Sequence, residues 1–200
     1  SISAILLAFS SSIHKKNKQT LLWFIIGISI HLTSLIFFLI YIIQKKIVKL
    51  KTIIILFFLS IILSLIKVGF HSIVILGGYA DELNKFDELA DKFGYKTGFR
   101  YDFVLFNSLF FLLGVFIYKI KSENKERLFL VLKFYGLTSV FFFLSFYFPY
   151  SDRMGIISWV FIPLILLEVP ITPMKYFPLR YSFIITCMFI LFLLQNIAVK

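Results

Sequence analysis

Acidic residues are scarce in this chain, cysteine is nearly missing, and the common nucleotide and hydrolase signatures are absent. The single cysteine, Cys187, excludes an intrachain disulfide and any cysteine-based metal site. It stands inside an apolar run, as a plain lipid-facing thiol would. There is no P-loop, GxGxxG, HExxH or GxSxG, so an ATP-driven or soluble-cofactor enzyme has nothing to stand on. No secretory signal pattern is visible. Ten acids stand against 21 lysines and arginines, a formal charge of +11. Most of the lysines flank apolar runs, at 15–18, 45–51 and 119–127, where anionic headgroups and orientation signals require them. Nucleic acid is therefore not an expected partner.

What is plentiful is apolar. Hydrophobic residues make up 60% of the chain and 27 residues are phenylalanine, above the roughly 45–50% of soluble domains. A globule of 200 residues could not hide so much aromatic surface from water, whereas bilayer hydrocarbon can. The apolar residues also come in blocks near the ~20 residues that a spanning helix needs. Runs 21–43, 52–66 with 72–76, 103–118, 128–150, 156–171 and 181–198 read as six full spans, and 2–13 as one partial span. The expected fold is all-α, a polytopic transmembrane helical bundle over 1–200. Because the chain opens on Ser1 inside an apolar run, the expectation is the C-terminal part of a longer protein.

The acids are unevenly placed. Asp81, Glu82, Asp87, Glu88, Asp91 and Asp102 all fall in one loop, 77–102. Leu83, Phe86, Leu89 or Ala90, and Phe93 recur at helical spacing, so part of this loop is expected to be an amphipathic interfacial helix. An acid-rich loop suits the extracytoplasmic side. Counting from it places 45–51, 120–127 and 172–180 in the cytoplasm, and the short turn 151–153 outside. Lys15, Lys16 and Lys18 would then also lie outside, against the positive-inside rule. Either this is a local exception, or 21–43 does not cross. Its middle holds Gly27, Ser29, His31, Thr33 and Ser34, small and polar residues suited to the turn of a re-entrant hairpin.

An ionisable residue at membrane depth is costly, so such residues are the informative ones. His31 is central in its run; it is either a hydrogen-bonded helix contact or a cavity-facing base. Arg100 and Asp102, where the acidic loop re-enters the membrane, form either a snorkelling anchor or an anion clamp with a bidentate fork for phosphate. Asp152 and Arg153, between two long apolar runs, concentrate charge at the same side. Lys67, His71, Lys133 and Glu168 also carry charge or a titratable ring near apolar runs, and Lys67 and Lys133 read as snorkelling. Together the residues suggest an anionic-headgroup site on the outer face, with arginines for phosphate and a histidine or aspartate for proton work.

At these positions the chain resembles a known family. Ile30-His31-Leu32-Thr33-Ser34-Leu35-Ile36, Gly98-Phe99-Arg100-Tyr101-Asp102-Phe103 and Phe148-Pro149-Tyr150-Ser151-Asp152-Arg153 are similar, in order, to motifs of EpsG-like proteins. So is the block that follows, Ser158-Trp159-Val160-Phe161-Ile162-Pro163-Leu164-Ile165-Leu166. These proteins belong to the broader Wzy-type polysaccharide polymerases of O-antigen, capsule and exopolysaccharide synthesis. The resemblance implies a GT-C-like, multi-pass glycosyltransferase of the bacterial cytoplasmic (inner) membrane. Such an enzyme joins undecaprenyl-pyrophosphate-linked repeat units at the outer face. It implies Arg100 and Arg153 on the departing pyrophosphate, Asp102 or Asp152 orienting them, and His31 as base. Thr33, Tyr101, Tyr150 and Ser151 would line the substrate. No cofactor is implied, the transfer is expected to be metal-independent, and a chain-length regulator is an expected partner besides the lipid-linked oligosaccharides and the bilayer.

Other classes compete. A transporter or flippase for a lipid-linked or small anionic solute also needs intramembrane charge and interrupted helices, although no convincing internal repeat is present. A structural subunit of an envelope complex would use the charges for topology alone. A glycan acyltransferase would expose a more prominent catalytic histidine.

Overall fold

A computed structural model describes residues 2–13, 16–30, 34–47, 49–78, 85, 88, 92, 97–120, 125–148 and 151–167. Among the described residues no strand occurs. The helices are α1 (Ile2–Ile13), α2 (Asn17–Ile30), α3 (Ser34–Lys46), α4 (Leu50–Leu65), α5 (Phe70–Leu76), α6 (Tyr101–Ile120), α7 (Lys125–Leu144), α8 (Ser151–Trp159) and α9 (Ile162–Leu167). They fall into two compact units, Ser1–Ile55 and Leu56–Lys200.

In the first unit α1 packs chiefly on α2. Ala4, Ala8 and Phe9 of α1 are buried, and Ala4 lies beside Gly27 of α2, small residues that let the backbones approach. Phe24 of α2 is buried and meets Phe38 edge-on at 5.7 Å and Tyr41 at 5.2 Å. The Tyr41 hydroxyl donates to Asn17 Oδ1 at 3.4 Å, across 24 residues of sequence. A straight helix would hold those residues about 36 Å apart, so the chain reverses between α2 and α3. The two helices also meet at Gly27, where a Cβ would lie 3.4 Å from Ser34 Cβ.

The run 21–43 is therefore a helical hairpin and not one span. Its arms of 14 and 13 residues each rise about 20 Å, short of the ~30 Å hydrocarbon core. The physical reason is the cluster of small and polar residues around Gly27, Ser29 and Ser34, which permits close contact where a continuous span would have bulky apolar side chains. Because the hairpin returns to its own side, Lys16 and Lys18 stand at the same end as Lys45 and Lys46, and the conflict with the positive-inside rule disappears.

In the second unit the α4–α5 pair is bent by 57°. Lys67 at the break has φ 61, and the Gly69 backbone presses on the carbonyl of Leu144 so closely that a side chain there would overlap it. α6 and α7, at 20 residues each, are long and apolar enough to cross a bilayer, and α4 with α5 is a third candidate if counted as one bent span. Aromatic rings fill the space between them. Phe57 stacks on Phe111 at 4.1 Å and meets Phe143 edge-on at 5.3 Å. Gly114 of α6 lies so near Leu132 of α7 that a Cβ would come within 2.6 Å of Leu132 Cδ2.

Of the expected spans, 103–118 and 128–150 thus correspond to α6 and α7, and 52–76 to the bent pair. The expected run 156–171 is broken after Trp159, because Pro163 in the first turn of α9 has no N–H to continue the ladder. The expected turn 151–153 is instead the first turn of α8; serine and aspartate are residue types that favour a helix start. The last run, 181–198, with Cys187, lies outside the described residues. So do His31, Thr33, Tyr150, Glu168 and nearly all of the expected amphipathic helix, as do the side chains of Asp152 and Arg153.

Candidate functional site

The candidate site gathers at the end of the second unit where α6 and α8 begin and α7 finishes. Gly98, at φ 107, turns the chain toward α6 and donates its N–H to the carbonyl of Phe146 at 2.9 Å. That bond ties the segment carrying Arg100 to the turn that leads from α7 into α8. Phe99 reinforces the tie by meeting Phe146 edge-on at 5.8 Å.

Arg100 is then oriented from two directions. Its Nε donates to Asp102 Oδ1 at 3.0 Å and its Nη2 to Oδ2 at 2.6 Å, a bidentate ion pair. Its guanidinium carbon sits 4.3 Å above the Phe103 ring. The pair engages one edge of the guanidinium and holds the plane, which is the arrangement a preorganised phosphate ligand needs. The side chain of Arg100 is 18% exposed and that of Asp102 56%, so the pair lies at a rim.

Around this rim stand Tyr101, 68% exposed, and Tyr147, whose phenol is pushed above its ordinary pKa by burial and then by Tyr101. At neutral pH Tyr147 is a protonated donor. α5 brings His71 to the same turn. The His71 ring lies 4.7 Å from that of Tyr147, and its Nε2 is 3.4 Å from Ser72 Oγ. Ser151, buried, opens α8 at this end, and the backbones of Asp152 and Arg153 follow in its first turn. The structure thus joins Arg100 to Asp102 and sets the α8 start at their end of the unit.

Below the rim is an aromatic layer. Trp159 packs against Phe103, Phe106 and Phe142 at 5.4, 5.6 and 6.2 Å. Below that lies a buried polar node absent from the sequence reading. Asn107 Oδ1 accepts from the hydroxyls of Tyr135 at 3.2 Å, Ser139 at 3.3 Å and Ser158 at 3.1 Å. Its own amide donates to the Phe103 carbonyl at 2.9 Å. One asparagine thereby links α6, α7 and α8. The signal for it was present: a lone amide inside an apolar run is costly at membrane depth, although it carries no charge.

A family model described as the EpsG family matches residues 1–200. Comparison with curated proteins returned no match, and neither did comparison with solved structures. The family match extends over the entire chain, on a helical scaffold with apolar membrane-length helices. The chain is accordingly a membrane protein that belongs to the EpsG family, a Wzy-like family of polysaccharide polymerases.

Proposed function

We propose that the protein polymerises undecaprenyl-pyrophosphate-linked repeat units at the outer face of the cytoplasmic membrane, as a multi-pass glycosyltransferase. Family membership supports the broad activity. The observation that carries the site is the bidentate Arg100–Asp102 pair at the end of the unit where α8 starts with Asp152 and Arg153.

In the proposed step, an acceptor hydroxyl of a new lipid-linked unit attacks the anomeric carbon of the growing glycan. The new glycosidic C–O bond forms as the bond from that carbon to the lipid pyrophosphate breaks. The hydroxyl proton passes to His71, the histidine at this rim; His31, the base expected from the sequence, lies outside the described residues. The bonding electrons leave with the pyrophosphate, whose growing negative charge is met by Arg100 and Arg153. A fixed guanidinium stabilises that charge more in the transition state than in the ground state, and this difference is what accelerates the reaction. Asp102 fixes Arg100, and Asp102 or Asp152 orients the guanidinium groups on the pyrophosphate. Tyr101, Tyr150 and Ser151 contact sugar hydroxyls, and the aromatic helices seat the polyprenyl chains. The charge work falls to the arginines, so the step is proposed without a metal ion.

The test is Arg100→Lys and Arg153→Lys in the full-length protein, read as glycan chain length. Each keeps its charge and loses the fork, and each is expected to cut polymerisation by about 100-fold or more. Normal chain length in both variants would overturn this site. The bent α4–α5 pair favours a second reading as a flippase for the same lipid-linked units. In that case the variants would stop translocation of single units while polymer formed from units already outside stays intact.

A further inference from the structure

Residues 1–55 contain no aspartate or glutamate. The α2–α3 hairpin gathers lysines from two parts of this acid-free unit that a charge-free stretch separates in sequence. Asn17, held by Tyr41 at 3.4 Å, lies between Lys16 and Lys18, and Lys45 places its Nζ 4.2 Å above the Tyr41 ring. Lys16, Lys18, Lys45 and Lys46 are all exposed, and exposed Lys49 and Lys51 follow. One turn farther into the hairpin, Leu21 and Leu22 on α2 and Ile42 and Ile43 on α3 remain 42–54% exposed. A cationic rim therefore sits directly on an aliphatic collar.

We propose that this end of the hairpin binds an acidic phospholipid of the bilayer, its phosphate among Lys16, Lys18, Lys45 and Lys46 and its acyl chains against Leu21, Leu22, Ile42 and Ile43. The collar decides the class of partner. A soluble acidic protein would satisfy the lysines and leave the aliphatic side chains uncovered, whereas a phospholipid meets both. Each lysine near an anionic surface adds attraction that falls off within a Debye length, and the hairpin doubles the number within that reach. The site is independent of the polymerase reading, since it uses none of the residues assigned to transfer.

The experiment is thermal unfolding of the full chain in neutral-detergent micelles, titrated with phosphatidylglycerol or with phosphatidylcholine of the same acyl chains. Phosphatidylglycerol is expected to raise the midpoint, phosphatidylcholine is not, and the gain should shrink between about 50 and about 500 mM salt. Lys45→Gln with Lys46→Gln is expected to weaken phosphatidylglycerol binding by about tenfold or more. Lys45→Arg with Lys46→Arg should retain it, and this pair decides the matter where the glutamine variant fails to fold. Equal responses to the two lipids, or an unchanged affinity in the glutamine variant, would overturn the proposal. So would loss of binding in the arginine variant, or a response to undecaprenyl pyrophosphate or polyglutamate that matches phosphatidylglycerol.

Discussion

Arg100 spends two of its five N–H donors on Asp102 and lays its flat face on Phe103. Both contacts fix orientation and leave the rest of the guanidinium for a ligand. Asp102 is thus a positioning residue in the proposed step, and its replacement should cost less than that of the arginine. Asp102→Asn keeps one acceptor oxygen and removes the charge and the second bond. Polymer yield is expected to fall about tenfold, against about 100-fold for Arg100→Lys. Initial rates in membrane vesicles would check the order, and a reversed order would place the carboxylate, not the guanidinium, on the substrate. This pair was legible in the sequence because an arginine and an aspartate two residues apart at the edge of an apolar run stand out by charge alone. Asn107 was not, because a search for ionisable groups passes over a neutral amide whose partners are 28, 32 and 51 residues away.

At the level of helices, the node at Asn107 fastens α8 to α6 and α7, and the cost of removing it can be reasoned from its neighbours. Every hydroxyl that donates to Asn107 Oδ1 has a backbone carbonyl as a second acceptor. Ser139 has that of Tyr135 at 2.8 Å, Ser158 that of Gly155 at 2.8 Å, and Tyr135 the backbone carbonyl of Asn107 itself at 3.0 Å. Asn107→Leu, close in volume, would strand none of them. A loss of only about 1 kcal/mol is expected in a mixed-micelle unfolding titration. A loss several times larger would mean that the node is not so well backed. The membrane-length helices α6 and α7 were readable as apolar runs with lysines at the ends that face each other in sequence, Lys119 and Lys125. The hairpin was open as an alternative and no more, since the contacts that close it, Gly27 with Ser34 and Phe24 with Phe38 and Tyr41, are between residues apart in sequence. The break after Trp159 was similarly obscured: Pro163 was visible, but an apolar run reads the same whether its ladder continues or not.

For the molecule as a whole, the hairpin changes how many times the chain crosses the bilayer. A continuous helix over 21–43 would put Lys18 and Lys46 on opposite faces, one of them against the positive-inside rule. The contact of Tyr41 with Asn17 puts them on one face. Cys187 is the one cysteine in this 200-residue sequence, so its replacement by serine gives a background on which single cysteines can be labelled. Lys18→Cys and Lys46→Cys are both expected to react with an impermeant maleimide only when the cytoplasmic side is open. Lys85→Cys, in the acid-rich loop, should react from the outside of intact cells. Opposite sidedness of positions 18 and 46 would rule out the hairpin and restore a crossing. The charges favour the first result: lysines flank both arms of the hairpin, at 16–18 and 45–51, and the positive-inside rule draws both clusters to one, cytoplasmic side.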